Sequence, residues 1–153
     1  MSDPSPIGAA ARIPNPALQP LQFLIGEWRT EGTHPLVPGK TLPGRTSFAW
    51  HEGGAFLIMR SEVHEPKFPS GVAIIGTDEE GRATMIYFDE RKVARLIDVS
   101  IGEDAVSLRH KGPDMEQTLT ITRGDGDTLV SKGRIAEDGG KWADDLSQVF
   151  RRA

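Results

Sequence analysis

The stretch Ala105-Val106-Ser107-Leu108-Arg109-His110-Lys111-Gly112-Pro113-Asp114-Met115-Glu116-Gln117-Thr118-Leu119-Thr120-Ile121-Thr122-Arg123 decides the fold. On both sides of Gly112-Pro113-Asp114 the apolar residues recur at every second position, the period of a strand and not of a helix. The two runs therefore read as strands 105–111 and 115–123 joined by a tight reversal.

The same pattern extends outward in both directions. From Gly26 onward, short runs rich in Val, Ile, Thr and aromatic residues are punctuated by Gly-Gly, Asp-Gly and Pro-bearing turns, which predicts further strands over 26–34, 45–51, 55–64, 71–77, 82–89, 93–101, 127–136 and 142–151. Leu18, Leu21 and Leu24 are spaced by three, which suits one or two helical turns at a barrel end. Sequential antiparallel strands without a second helix close on themselves to remove their edges. The predicted fold is all-β: an antiparallel up-and-down β-barrel of about ten strands with a short N-terminal helix. Residues 1–15 mix Pro, Ser, Gly and Ala without periodicity and read as a flexible arm; 16–153 form a single barrel domain. The segment Pro35–Gly44 carries three prolines and reads as a lid or rim that does not pair as a central strand.

Composition removes several function classes. The net charge of −4 comes from intermixed acids and bases, so no basic stripe offers itself to nucleic acid or anionic lipid. The absence of cysteine excludes disulfides, thiolate metal sites and a cysteine nucleophile. With no secretory leader pattern and no long apolar run, a cytoplasmic protein with no membrane partner is expected.

Alternation also assigns faces, and three polar residues fall on apolar ones. Arg95 shares a row with Val93, Ile97, Val99 and Ile101; His110 lies with Val106 and Leu108; Gln117 lies with Met115, Leu119 and Ile121. His110 and Gln117 should be diagonal neighbours across their hairpin. An inward arginine must find an anion, either Asp89 across the preceding turn or an acidic guest. Met85 and Tyr87 share a side with Asp89, and Trp50 faces the same way as Phe48. Strand 55–64 is ambiguous, since Phe56 and Ile58 compete with Leu57, Met59 and Val63 for the interior, and Arg60 is a lesser anion ligand. Asp89 and Asp144 are the acids read as inward. The four histidines show no metal-pair spacing, so no metal site is assigned, and no nucleophile elbow or serine relay occurs. Trp28 and Trp142 read as a pair closing the barrel base.

The stretches Gly26-Glu27-Trp28-Arg29-Thr30-Glu31-Gly32, Phe48-Ala49-Trp50-His51-Glu52-Gly53-Gly54-Ala55-Phe56-Leu57, Tyr87-Phe88-Asp89-Glu90-Arg91-Lys92-Val93-Ala94-Arg95 and Asp138-Gly139-Gly140-Lys141-Trp142-Ala143-Asp144-Asp145-Leu146 together resemble an uncharacterised bacterial family of lipocalin-like (calycin, nitrobindin-like) small barrels. The resemblance covers about residues 20–152 and implies the barrel without an activity. Nitrobindins hold ferric haem through a histidine late in the chain. Here the last histidine is His110 and the two closing strands have none, so no cofactor is expected, with haem through His110 the minor alternative.

The functional expectation is a small, partly apolar molecule with an acid group, bound inside the barrel by Trp50, Arg60, Met85, Tyr87, Arg95, His110 and Gln117. Two alternatives stand beside it. One is an enzyme on the same barrel with His110 as base and Tyr87 as donor. The other is an interaction module that forms a homodimer.

Overall fold

The computed structural model describes residues 11–153. Ten antiparallel strands follow one another around a closed barrel: β1 (Gly26–Thr33), β2 (Leu42–His51), β3 (Phe56–Val63), β4 (Gly71–Thr77), β5 (Ala83–Asp89), β6 (Val93–Gly102), β7 (Ala105–Lys111), β8 (Met115–Arg123), β9 (Thr128–Glu137) and β10 (Ala143–Arg152). Each pairs with its sequence neighbour, and β1 pairs with β10 to close the ring. The expected helix is a six-residue 3-10 turn, Gln19–Leu24, with Pro20 in its first turn. Of the arm expected over 1–15, residues 1–10 lie outside the described residues. At its other end the Asn15 backbone N–H donates to Gly54 O and its side-chain amide to Thr77 Oγ1.

The Pro35–Gly44 loop is shorter than expected, because β2 begins at Leu42 and includes Pro43. The carbonyl of Pro43 accepts from the His64 N–H at 2.7 Å, so the ring costs the ladder a donor and leaves the acceptor in use.

One end of the barrel is packed solid. Leu18, just before the 3-10 turn, and Leu21 and Leu24 within it are buried against Trp28, Phe48, Leu57, Ile75, Val106, Ile121, Leu129 and Phe150. The Gly26-x-Trp28 motif accounts for the seal. Trp28 meets Phe150 edge-on at 6.4 Å, donates its Nε1–H to Leu24 O at 2.8 Å, and carries the Arg152 guanidinium 3.8 Å above its ring. Arg152 also donates to Ile25 O at 2.6 Å, which takes it past Gly26; a β-carbon there would collide with the guanidinium, and the φ of +141° independently favours glycine. Trp142 takes no part in the seal. It is 42 % exposed in the turn before β10, and Phe150 is the partner of Trp28.

Trp28→Phe removes the Nε1–H bond and leaves the buried Leu24 carbonyl without its donor. The expected loss is about 1–3 kcal/mol in urea unfolding, with the barrel otherwise retained.

Candidate functional site

The opposite end holds a cavity of about 350 Å3. Its floor is apolar, built by Met59, Met85, Ile97, Leu108 and Leu119, and the rest of its wall mixes polar side chains with Leu36, Phe68 and Leu146. Met85, Tyr87, Arg95, His110 and Gln117 all line it, as alternation on β5 to β8 requires. His110 and Gln117 stand directly opposite each other in the register, closer than the diagonal placement expected. Two of the expected ligand residues are elsewhere. Trp50 donates its Nε1–H to Gln22 Oε1 at 2.9 Å and packs on the sealed core, while Arg60 is exposed on the outer face of β3, beside a separate surface groove with Arg45 and Phe88. Leu57 and Met59 take the inner positions of β3, which turns Phe56, Ile58 and Arg60 outward.

A bulge in β10 shapes the wall. Ala143–Asp144 pair with Ile135–Arg134 and Ser147 pairs with Lys132, so Asp145 and Leu146 together face the single residue Gly133. Gly133 has no room for a side chain: a β-carbon would stand 2.5 Å from Leu146 O and 3.3 Å from the Asp145 β-carbon. The extra residue turns both Asp145 and Leu146 to the cavity. Asp144, read from alternation as inward, is instead exposed and pairs with Arg134 at 2.5 Å.

Asp145 anchors a chain of hydrogen bonds along the wall. His34, from the loop after β1, donates its Nε2–H to Asp145 Oδ1 at 2.9 Å; its Nδ1 accepts from the Leu36 backbone N–H at 3.0 Å, which fixes the neutral tautomer. The Gln117 amide donates to Asp145 Oδ2 at 2.9 Å, and its Oε1 accepts from Arg95 Nη1 at 2.6 Å. Because a carboxylate only accepts, Asp145 sets the amide orientation of Gln117 and so leaves Arg95 an oxygen. That neutral oxygen is Arg95's side-chain partner, and among the described residues no carboxylate lies within 4.0 Å of its nitrogens.

Asp89, one of the two partners expected for Arg95, is committed to a neighbouring triad. Its oxygens accept from Arg91 Nη2 at 2.7 Å, Arg91 Nε at 3.2 Å, the Arg91 N–H at 2.9 Å and the Tyr87 hydroxyl at 2.8 Å. The turn between β5 and β6 brings Arg91 to Asp89 two residues away, ahead of the cross-strand arginine. These bonds, chiefly those from Arg91, hold the buried Asp89 carboxyl down at about 2. Burial, then the bond to Asp89, pushes the Tyr87 phenol up to about 12. Tyr87 therefore stays protonated, with its proton directed at Asp89. His110 has a neighbour at hydrogen-bond range only in Leu96 O, 3.5 Å from Nδ1, and has no acid partner among the described residues. No group of three or more metal-ligating side chains occurs among the described residues.

Sequence reasoning missed His34 and Asp145. His34 comes from a loop, where periodicity is silent, and Asp145 from a bulge that reverses the alternation. A glycine inside the Val- and Ile-bearing run 128–137 was the available sign, since an interior strand glycine marks a bulge or a close approach.

No protein-family model matches the chain, and no curated protein matches it. Among solved structures, the crystal structure of Rv2717c from M. tuberculosis is similar at 20% identity and a TM-score of 0.64, covering 90% of this chain and 98% of that one. EF1p2_mFAP2b bound to DFHBI is similar at 16% identity and a TM-score of 0.44, over 88% and 98% of the two chains. The redesigned β-barrel b11L5F_LGL gives 16% identity and 0.41, over 86% and 93%. At 20% identity the first of these likenesses speaks to the fold alone.

Two outcomes are expected. Gly133→Val drives a side chain into the bulge, so unfolding in urea should show a loss of about 1–3 kcal/mol, with larger backbone shift changes at Asp145 and Leu146 than at the sealed end. Because the Asp89 pKa lies below its ordinary 3.8, its contribution is full above pH 3.8 and is lost as pH falls through about 2. Asp89→Asn should therefore flatten the rise in stability between about pH 2 and pH 5 that the unaltered chain shows.

Proposed function

We propose that the barrel binds one small, partly apolar anion in the cavity at its open end, as a lipocalin-like, nitrobindin-like binding protein of the cytoplasm. The observation that carries this reading is Arg95: a guanidinium on a half-apolar wall, held by one neutral amide oxygen and no carboxylate. A cation in such surroundings favours an anionic neighbour, and a planar guanidinium suits a carboxylate or sulfonate that can take two of its N–H groups. Lys67 at the same cavity adds positive charge, while Asp145 is already occupied by His34 and Gln117. In this reading Gln117 holds Arg95 in place, and Tyr87, Met85 and Leu108 line the space the guest's apolar body would fill. Trp50 and Arg60 have no role at this cavity.

Ferric haem, which the nitrobindin resemblance brings with it, is not part of this reading. His34 has both ring nitrogens in use, which leaves His110 Nε2, beside Gly112, as the histidine nitrogen at the cavity without a hydrogen-bond partner among the described residues. The cavity volume is at the small end for ligand sites. Catalysis by His110 with Tyr87 gains no support, since the base lacks an orienting acid and the phenol proton is committed to Asp89.

Titration with the fluorescent aryl sulfonate 8-anilinonaphthalene-1-sulfonate, beside the uncharged N-phenyl-1-naphthylamine, tests the reading. One sulfonate per barrel is expected, with affinity falling roughly tenfold or more in Arg95→Met while the uncharged amine is little affected. Equal sulfonate binding by the variant would contradict the proposal.

A further inference from the structure

One polar side chain of the cavity wall sits at the depth of the core. Gln148 of β10 lines the cavity two residues before Phe150, the residue that meets Trp28 in the sealed base. In the register it stands between Gly32 of β1 and Ser131 of β9, and the row continues through Ile121 to Val106. Ser131, Ile121 and Val106 are all at 2 % exposure or less, so the amide enters the barrel in a row that is otherwise closed to solvent. Gly32 makes the room. A β-carbon there would stand 3.2 Å from Gln148 Cγ and 3.1 Å from Leu146 Cδ1.

Both polar groups of that row are unpaired. The Ser131 hydroxyl is fully buried without a hydrogen-bond partner, and the Gln148 amide makes no side-chain hydrogen bond among the described residues. Gln117, the other glutamine of the cavity, has both ends of its amide in use. Residues directly opposite across an antiparallel pair hold their β-carbons about 5 Å apart, so the Gln148 amide and the Ser131 hydroxyl serve one small polar group between them. A guest that is apolar at this point leaves both unpaired, which costs affinity. The cations that line the cavity, Lys67, Arg91 and Arg95, come from β6 and from the connections on either side of β4 and β5, and Arg95 lies four strands around the ring from Gln148. The group at Gln148 is therefore neutral, and a hydroxyl, which both donates and accepts, matches an amide and a serine. We infer that the guest is a hydroxy acid: its acid group at Arg95, its apolar body over the methionines and leucines of the floor, and a hydroxyl at Gln148 and Ser131. This rests on the binding reading above and narrows it to a class of guest.

Calorimetric titration of the full chain with decanoate and with 10-hydroxydecanoate, which differ by one hydroxyl, tests the assignment. The hydroxy acid is expected to bind roughly tenfold tighter. Gln148→Leu should abolish or reverse that preference and Ser131→Ala should reduce it, whereas Arg95→Met should weaken both acids alike and keep their ratio. Two acids that bind equally well through Arg95, or a preference that survives Gln148→Leu, overturn the inference and leave the anion site standing. Failure of both acids to bind overturns the inference together with the anion site. Should Gln148→Leu misfold, the side-chain amide NMR signals of Gln148 in the unaltered chain decide the matter. They are expected to move on saturation with 10-hydroxydecanoate, and signals that stay fixed overturn the inference.

Discussion

Two residues of β10, Asp145 and Leu146, stand opposite one glycine of β9, and the chemistry of the barrel mouth follows from that mismatch. The bulge turns a carboxylate inward that strict alternation would have pointed along the wall's outer side. Once inside, Asp145 can only accept, so it takes one Gln117 amide N–H and the His34 Nε2–H, and Gln117 is left with an oxygen for Arg95. Each polar group is oriented by the next, and the chain ends on a cation whose partner is neutral. Gly133 makes this possible, since any side chain there would occupy the space of the Leu146 carbonyl.

The two ends of the barrel answer different physical demands. At the base, Trp28, Phe150 and the leucines of the 3-10 turn fill the interior, and Arg152 lies over the indole with its guanidinium on Ile25 O and Asp127. That arginine is satisfied by a carbonyl, a carboxylate and an aromatic face. Arg95, at the mouth, has one amide oxygen. The contrast between the two guanidinium groups, one saturated in a packed end and one poorly partnered beside a cavity, separates the part of the barrel that stabilises the fold from the part suited to a guest.

How much of this was legible in the sequence depends on where alternation holds. On β6, β7 and β8 the period of two is unbroken, and it placed Arg95, His110 and Gln117 on the inner wall. Strand positions were read well because Gly- and Pro-bearing turns mark them; Pro43 was the exception, tolerated in β2 through its carbonyl. Alternation failed where a local event competed with it. The bulge moved inwardness from Asp144 to Asp145, and β3, apolar on both faces, hid that Arg60 points out. Its outward apolar residues join those of β4 to β6 on an exposed outer face. Asp89 across the preceding turn was one of two partners read for Arg95, but Arg91, two residues away, reaches it through both side chain and backbone. The Gly26-x-Trp28 motif located the seal correctly and says nothing of the mouth, where His34 arrives from a loop that no periodicity describes.

The central claim is that the under-partnered guanidinium of Arg95 faces the interior and receives the acid group of a guest. The most direct measurement is the arginine side-chain region of a 15N-resolved NMR spectrum recorded during titration with 8-anilinonaphthalene-1-sulfonate. The account predicts that the Arg95 Nε–H signal moves with saturation, together with the Gln117 side-chain amide. It would be contradicted by an Arg95 signal that stays fixed while the shifts gather on Ile74, Ile86 and Leu96 of the outer face.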